Sequence, residues 1–166
     1  GFPDKPVIPT GSDVLCQDPP DTDYETDSTA RAESYDWEII DVVTTSGVNP
    51  PGTFTDGDSI ITINYDPGFY GTFGLHVRGV NAAGNGPWSD TLTITVHENP
   101  TADAGTDQNT CYPNGVTLNG SASGGAGGYG YEWAPADSLD NELLEDPTYT
   151  PGGNPNSISI TVTFTV

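Results

Sequence analysis

Ser34-Tyr35-Asp36-Trp37-Glu38-Ile39 alternates polar and apolar side chains, with Tyr35, Trp37 and Ile39 on one face and Ser34, Asp36 and Glu38 on the other. A period of two is the pleat of a strand with one buried and one wet face. The same pattern recurs outward from it. Ile61, Ile63 and Tyr65 share a face of Asp58-Ser59-Ile60-Ile61-Thr62-Ile63-Asn64-Tyr65, and Phe73, Leu75 and Val77 share one opposite Gly74, His76 and Arg78. Thr91-Leu92-Thr93-Ile94-Thr95-Val96 alternates again. Turn formers separate these runs, at Asn49-Pro50-Pro51-Gly52, Asp56-Gly57-Asp58 and Asp66-Pro67-Gly68. Short, regularly spaced strands around a central Trp predict a β-sandwich. Its expected core is Trp37 packed by Ile61, Ile63, Leu75, Val77, Leu92, Ile94 and Val96.

Composition supports an all-β chain. The 166 residues include 21 Gly, 15 Pro and no Met, so helix breakers are frequent and strong helix formers scarce. Aromatics at 10% supply enough apolar surface to offset chain entropy, which predicts a folded chain. Against 24 Asp and Glu stand three cations, Lys5, Arg31 and Arg78, for a formal net charge of −21. Three scattered cations cannot form the basic stripe that nucleic acid or an anionic membrane surface requires. Charged residues are only 16% of the chain, below the roughly 25% of ordinary domains, so the imbalance is a lack of Lys and Arg. No run approaches the ~20 apolar residues of a membrane span. No secretion signal stands at the start, and Met is absent even at position 1, as expected of a processed or excised segment.

A boundary falls at His97-Glu98-Asn99-Pro100-Thr101, where Pro100 denies a ladder its donor. The reading is two tandem Ig-like β-sandwich domains, residues 1–97 and 99–166, on a short Pro-stiffened joint that favours an extended rod. The second domain offers Val116-Thr117-Leu118-Asn119-Gly120, Tyr129-Gly130-Tyr131-Glu132-Trp133 and a run from Ser157 to Val166. In that run Ile158, Ile160, Val162, Phe164 and Val166 alternate with Ser and Thr, as in a central strand. The strand expected after it is missing, so the parent chain continues or another chain completes the sheet.

Specific motifs carry a resemblance. Pro9-Thr10-Gly11…Leu15-Cys16-Gln17, the Trp37 strand and Val77-Arg78-Gly79-Val80-Asn81…Gly84-Asn85-Gly86-Pro87-Trp88-Ser89 resemble the Ig-like/fibronectin type III-like modules of large secreted Bacteroidota proteins. Ala102-Asp103-Ala104-Gly105-Thr106-Asp107-Gln108…Cys111, Val116-Thr117-Leu118-Asn119-Gly120-Ser121-Ala122-Ser123-Gly124-Gly125 and Tyr131-Glu132-Trp133-Ala134-Pro135 resemble a PKD-type domain. The resemblance implies a bacterial extracellular or cell-surface location. In related modules a Cys in the first strand pairs with one in the last hairpin; Ala83 stands in that place here, which leaves Cys16 without a local partner. The partner of Cys111 would lie beyond Val166, and a Cys16–Cys111 bridge stays open only if the domains fold back.

Catalysis finds little to work with. His76 and His97 stand without a nucleophile elbow, and nothing selects one carboxylate pair among 24 acids. No catalytic residue is assigned. Calcium is the one candidate cofactor, because hard cations take oxygen ligands: Asp103 with Asp107 at the joint ranks first, then Asp56 with Asp58, beside Asp18, Asp21 and Asp23 and beside Asp137, Asp140 and Glu142. Turn capping is the competing account of each cluster. Asn119-Gly120-Ser121 is a formal sequon that the strand motif also explains. The pattern Asp-Ser/Thr-small or apolar resembles the O-glycosylation signal of secreted Bacteroidota proteins and marks Ser28, Ser59, Thr91 and Ser138. Tyr70, Trp88, Tyr112 and Tyr129 are candidates for stacking a sugar.

The expected role is a non-catalytic extracellular structural or adhesive module pair, a fragment of a larger repetitive adhesin or stalk. Its expected partners are neighbouring modules of the same polypeptide, surface polysaccharide or another cell-surface protein, with no nucleic acid and no membrane insertion. The alternatives are spacer or carbohydrate-binding modules of a secreted hydrolase, and a filament subunit completed by strand addition.

Overall fold

The computed structural model describes residues 1–55, 58–134 and 136–152, and the backbone of 163–165. Every helix or strand element among them is a strand, so the chain is all-β. It divides into two compact units, Gly1–Glu98 and Asn99–Val166.

Unit 1 holds β1 (Val14–Cys16), β2 (Thr22–Glu25), β3 (Ser34–Thr44), β4 (Gly52–Thr53), β5 (Ile60–Tyr65), β6 (Gly71–Asn81), β7 (Gly84–Asn85) and β8 (Leu92–His97). One sheet runs β1-β8-β6-β3 with β7 paired to β6, and the other runs β2-β5-β4. All pairings are antiparallel except β1 with β8. Alternation aims one face of each sheet inward. Tyr24, Ile61, Ile63 and Tyr65 from one sheet form a single cluster with Tyr35, Trp37, Phe73, Leu75, Val77, Ile94 and Val96 from the other. The result is sandwich-like, and each such side chain contributes ~1.5–3 kcal/mol when fully buried.

Three features depart from the periodicity reading. Leu92 is only half-buried at the rim of the cluster, while Tyr24 and Phe69 are buried inside it. Tyr24 sits between Asp23 and Glu25, whose charge masks a strand: the acids face out and the ring faces in. Asp23 therefore belongs to a strand and not to a loop cluster. On β3 the register shifts between Ile40 and Val43, with Asp41 at φ 51°. This bulge turns Val42 toward the core and leaves Val43 exposed.

Unit 2 holds β9 (Thr101–Asp103), β10 (Val116–Thr117), β11 (Ser121–Ser123), β12 (Glu132–Ala134), β13 (Thr148–Tyr149) and β14 (Thr163–Thr165). They pair as β10-β13, β11-β9 and β12-β14, all antiparallel. The strand expected from Tyr129 begins only at Glu132, because Gly124, Gly125, Gly127 and Gly128 all take positive φ just before it. From the run expected at 157–166, Thr163–Thr165 pairs with β12, Trp133 opposite Phe164; the rest lies outside the described residues.

Trp133 anchors unit 2. It is 1% exposed and its Nε1 donates to the Leu144 carbonyl at 2.8 Å. The loop over it is tied by side-chain acceptors: Asp140 Oδ1 takes the amides of Asn141 and Thr148, and Asp146 Oδ1 takes that of Gly120.

Candidate functional site

A grouping of polar and aromatic side chains lies on the outer face of β3 and β6. Register sets Asp36 opposite Arg78 and Glu38 opposite His76. Arg78 donates from Nε and Nη2 to Asp36 Oδ2 at 3.0 and 2.9 Å, and His76 Nε2 lies 3.0 Å from Glu38 Oε2. Trp88, from the segment between β7 and β8, lies flat over this row. Its ring stacks on His76 with centroids 4.0 Å apart and planes 7° apart, and Arg78 Cζ sits 4.4 Å from the Trp88 centroid.

Such an arrangement binds strands together. A planar guanidinium under an indole gains cation–π attraction while its edge keeps the carboxylate. A His–carboxylate pair is also one part of a nucleophilic triad, but Trp88 covers this imidazole and leaves its side chain 12% exposed. The neighbouring hydroxyl is committed as well: Ser89 Oγ accepts the Val77 amide at 3.1 Å and donates to the Asp90 carbonyl at 2.8 Å.

Cations are committed throughout. Lys5 pairs with Asp90 at 2.7 Å, Arg31 with Asp4, and Arg78 with Asp36, which accounts for all three in the chain.

The acids named as calcium candidates are largely turn and strand acceptors. Asp103 Oδ1 takes the Gly105 amide, Asp58 Oδ1 the Ser59 amide and Asp18 Oδ1 the Gly68 amide. Asp21 accepts from Asn64 and Asp23 from Thr62. Asp107 is exposed, and Asp56 lies outside the described residues. Among the described residues no three His, Cys, Asp or Glu side chains converge as a metal cage.

Ser28, Thr91 and Ser138 are exposed, while Ser59 is half-buried with its hydroxyl 3.3 Å from Asp58 Oδ1. Tyr70 packs against the core, and the Tyr129 hydroxyl donates to the Gly124 carbonyl. Tyr112 is 64% exposed. Cys16 and Cys111 are both free and exposed.

Periodicity already put His76 and Arg78 on the outer face of their strand and Asp36 and Glu38 on that of theirs. What it lacked was the register that sets acid against base, and the fold of the β7–β8 connection that brings Trp88 over them. The chain matches no protein-family model and no curated protein.

Proposed function

We propose that the chain is a non-catalytic module pair that serves as a structural and adhesive segment of a larger repetitive protein outside a bacterial cell. The observation that carries this reading is the Asp36–Arg78–Trp88–His76–Glu38 array. Side chains with the chemistry for catalysis or anion binding act there as cross-strand fastening. A net charge of −21 fits the same role, since like-charged modules in series stay soluble and apart. In a repetitive protein, adhesion then comes from many weak contacts in parallel.

Single-molecule stretching between terminal handles tests the structural part. Unit 1 is expected to open in one cooperative event that lengthens the tether by ~30 nm, from ~3.3–3.6 Å per extended residue. Extension without a discrete event would refute a module that resists force. Turnover of chromogenic glycoside, ester or peptide substrates, retained by the pure protein, would refute the non-catalytic part.

The exposure of Tyr112 favours a second reading, carbohydrate binding beside a secreted hydrolase. Glycan-array binding lost in Tyr112→Ala would replace the first reading with this one. Calcium at Asp103 and Asp107 accompanies the first. It requires a higher melting temperature in calcium than in chelator, because a ligand of the native state stabilises it; equal melting temperatures would remove it.

A further inference from the structure

Residues 1–9 are buried at every third position. Pro3, Pro6 and Pro9 are buried, and Gly1, Phe2, Asp4, Lys5, Val7 and Ile8 are exposed. Three residues per turn is the period of the polyproline II helix, and fixed proline φ angles order such a strap before it docks. The bed under Pro3 is shaped by missing side chains. A Cβ on Gly79 would come within 2.9 Å of Pro3 Cβ, and one on Gly86 within 2.8 Å of the Pro3 carbonyl oxygen. Tethers then pin the strap at its surface. Lys5 pairs with Asp90 at 2.7 Å, Arg31 pairs with Asp4 and donates Nε to the Phe2 carbonyl, and Asn81 Nδ2 donates to the Gly1 carbonyl. Two of the chain's three cations therefore hold nine residues in place.

We propose that this bed is a homophilic docking surface, on which the proline-spaced strap of a second copy of this chain seats in exchange for the resident one. Every strap-to-bed contact is the same in cis and in trans, so effective concentration and any new contact decide between them. The tethering ion pairs are exposed and screened by salt, which makes release accessible. New contact is available too. The outward side of the strap carries Phe2, Val7 and Ile8 at 60%, 51% and 45% exposure, apolar surface that a single copy leaves in water and that two adjacent straps can cover. The exchange stands on the strap geometry alone and does not require the extracellular role.

Complementation tests it. Gly86→Val blocks the bed of one full-length chain and frees its strap; Pro3→Gly, Lys5→Gln and Pro6→Gly together disable the strap of another and empty its bed. Each variant alone is expected to sediment as a 17.4 kDa monomer. An equimolar mixture is expected to give a species of twice that mass, lost in 1 M NaCl. Where the blocked chain fails to fold, a synthetic peptide of residues 1–10 replaces it as strap donor, with saturable binding to the strap-disabled chain expected. A mixture of two folded variants that stays monomeric overturns the exchange, as does a peptide that does not bind.

Discussion

Unit 1 and unit 2 are both all-β, but their described side chains pack in different ways. In unit 1 eleven buried residues from two sheets and Phe69 from the β5–β6 connection form one cluster, so the loss of one side chain removes a small share of it. In unit 2, among the described side chains, Trp133 is the one large buried hydrophobe, and the loop over it is held by backbone amides on Asp140, Asn141 and Asp146. A distributed core tolerates a single deletion. Among the described side chains of unit 2, the tied loop depends on one ring, Trp133.

One truncation in each unit separates the two. Replacing a buried Trp by Ala costs ~3–5 kcal/mol, and the single core of a unit shorter than ~70–80 residues supplies ~3–5 kcal/mol in total. Trp133→Ala is therefore expected to unfold unit 2 outright, seen as collapse of its dispersed amide resonances. Trp37→Ala, at a similar cost, is expected to leave unit 1 folded with a melting temperature lower by ~20 °C. Dispersed unit 2 resonances in Trp133→Ala would show that its core extends well beyond the ring.

A smaller change probes the same anchor from outside. A Cβ at Gly120 would lie 2.7 Å from Trp133 Cζ2 and 2.6 Å from the Glu145 carbonyl oxygen, so the ring or the loop must move. Gly120→Ala is expected to destabilise unit 2 by ~1–3 kcal/mol, the usual cost of overpacking. Unit 1 should melt unchanged. An unaltered unit 2 transition would mean that the loop over Trp133 yields freely.

The same difference governs how much of each unit its sequence reveals. Long alternating runs in unit 1 announced their inward faces, and Trp37, Ile61, Ile63, Leu75, Val77, Ile94 and Val96 are all buried as that period requires. Tyr24 was hidden because a four-residue strand flanked by acids carries too little apolar signal. In unit 2 the described strands before residue 153 are two or three residues long, too short for a period to stand out, and glycines with positive φ interrupt the run before Trp133. Proline spacing at 3, 6 and 9 is a period of three, invisible to a search for periods of two and 3.6. The outer array depended on register and on a connection folding back, which no local pattern encodes. Its energetic test is Trp88→Ala, which removes one aromatic stack and one cation–π contact while leaving Asp36–Arg78 in place. A loss of ~2 kcal/mol is expected, read as a fall of ~10 °C in the unit 1 transition. No fall would mean that Trp88 merely rests on the sheet.

The smallest expected effect concerns a buried polar contact inside the larger core. Tyr24 Oη donates to the Ser12 carbonyl at 2.8 Å and lies 2.8 Å from Tyr65 Oη, so Tyr65 is the donor within the pair. Burial pushes both phenols above their ordinary pKa of 10.0; donation from Tyr65 partly offsets this for Tyr24, while for Tyr65 the bond to Tyr24 adds to it. A raised phenol pKa means that the native state keeps protons which the unfolded chain releases. Stability from this source is therefore complete below pH 10 and falls as pH rises beyond it, by up to ~1.4 kcal/mol per pH unit for each phenol held protonated. Tyr65→Phe deletes one ionisable group and one hydrogen bond but leaves Tyr24 bonded to Ser12. At pH 7 it is expected to cost ~1 kcal/mol, whereas between pH 10 and 11.5 its unit 1 melting temperature should fall less steeply than that of the parent chain. The two effects have opposite signs, so the curves should converge as pH rises. Parallel curves would mean that Tyr65 ionises in the folded state as readily as in the unfolded one, and that the core of unit 1 is open to water at its Tyr24 end.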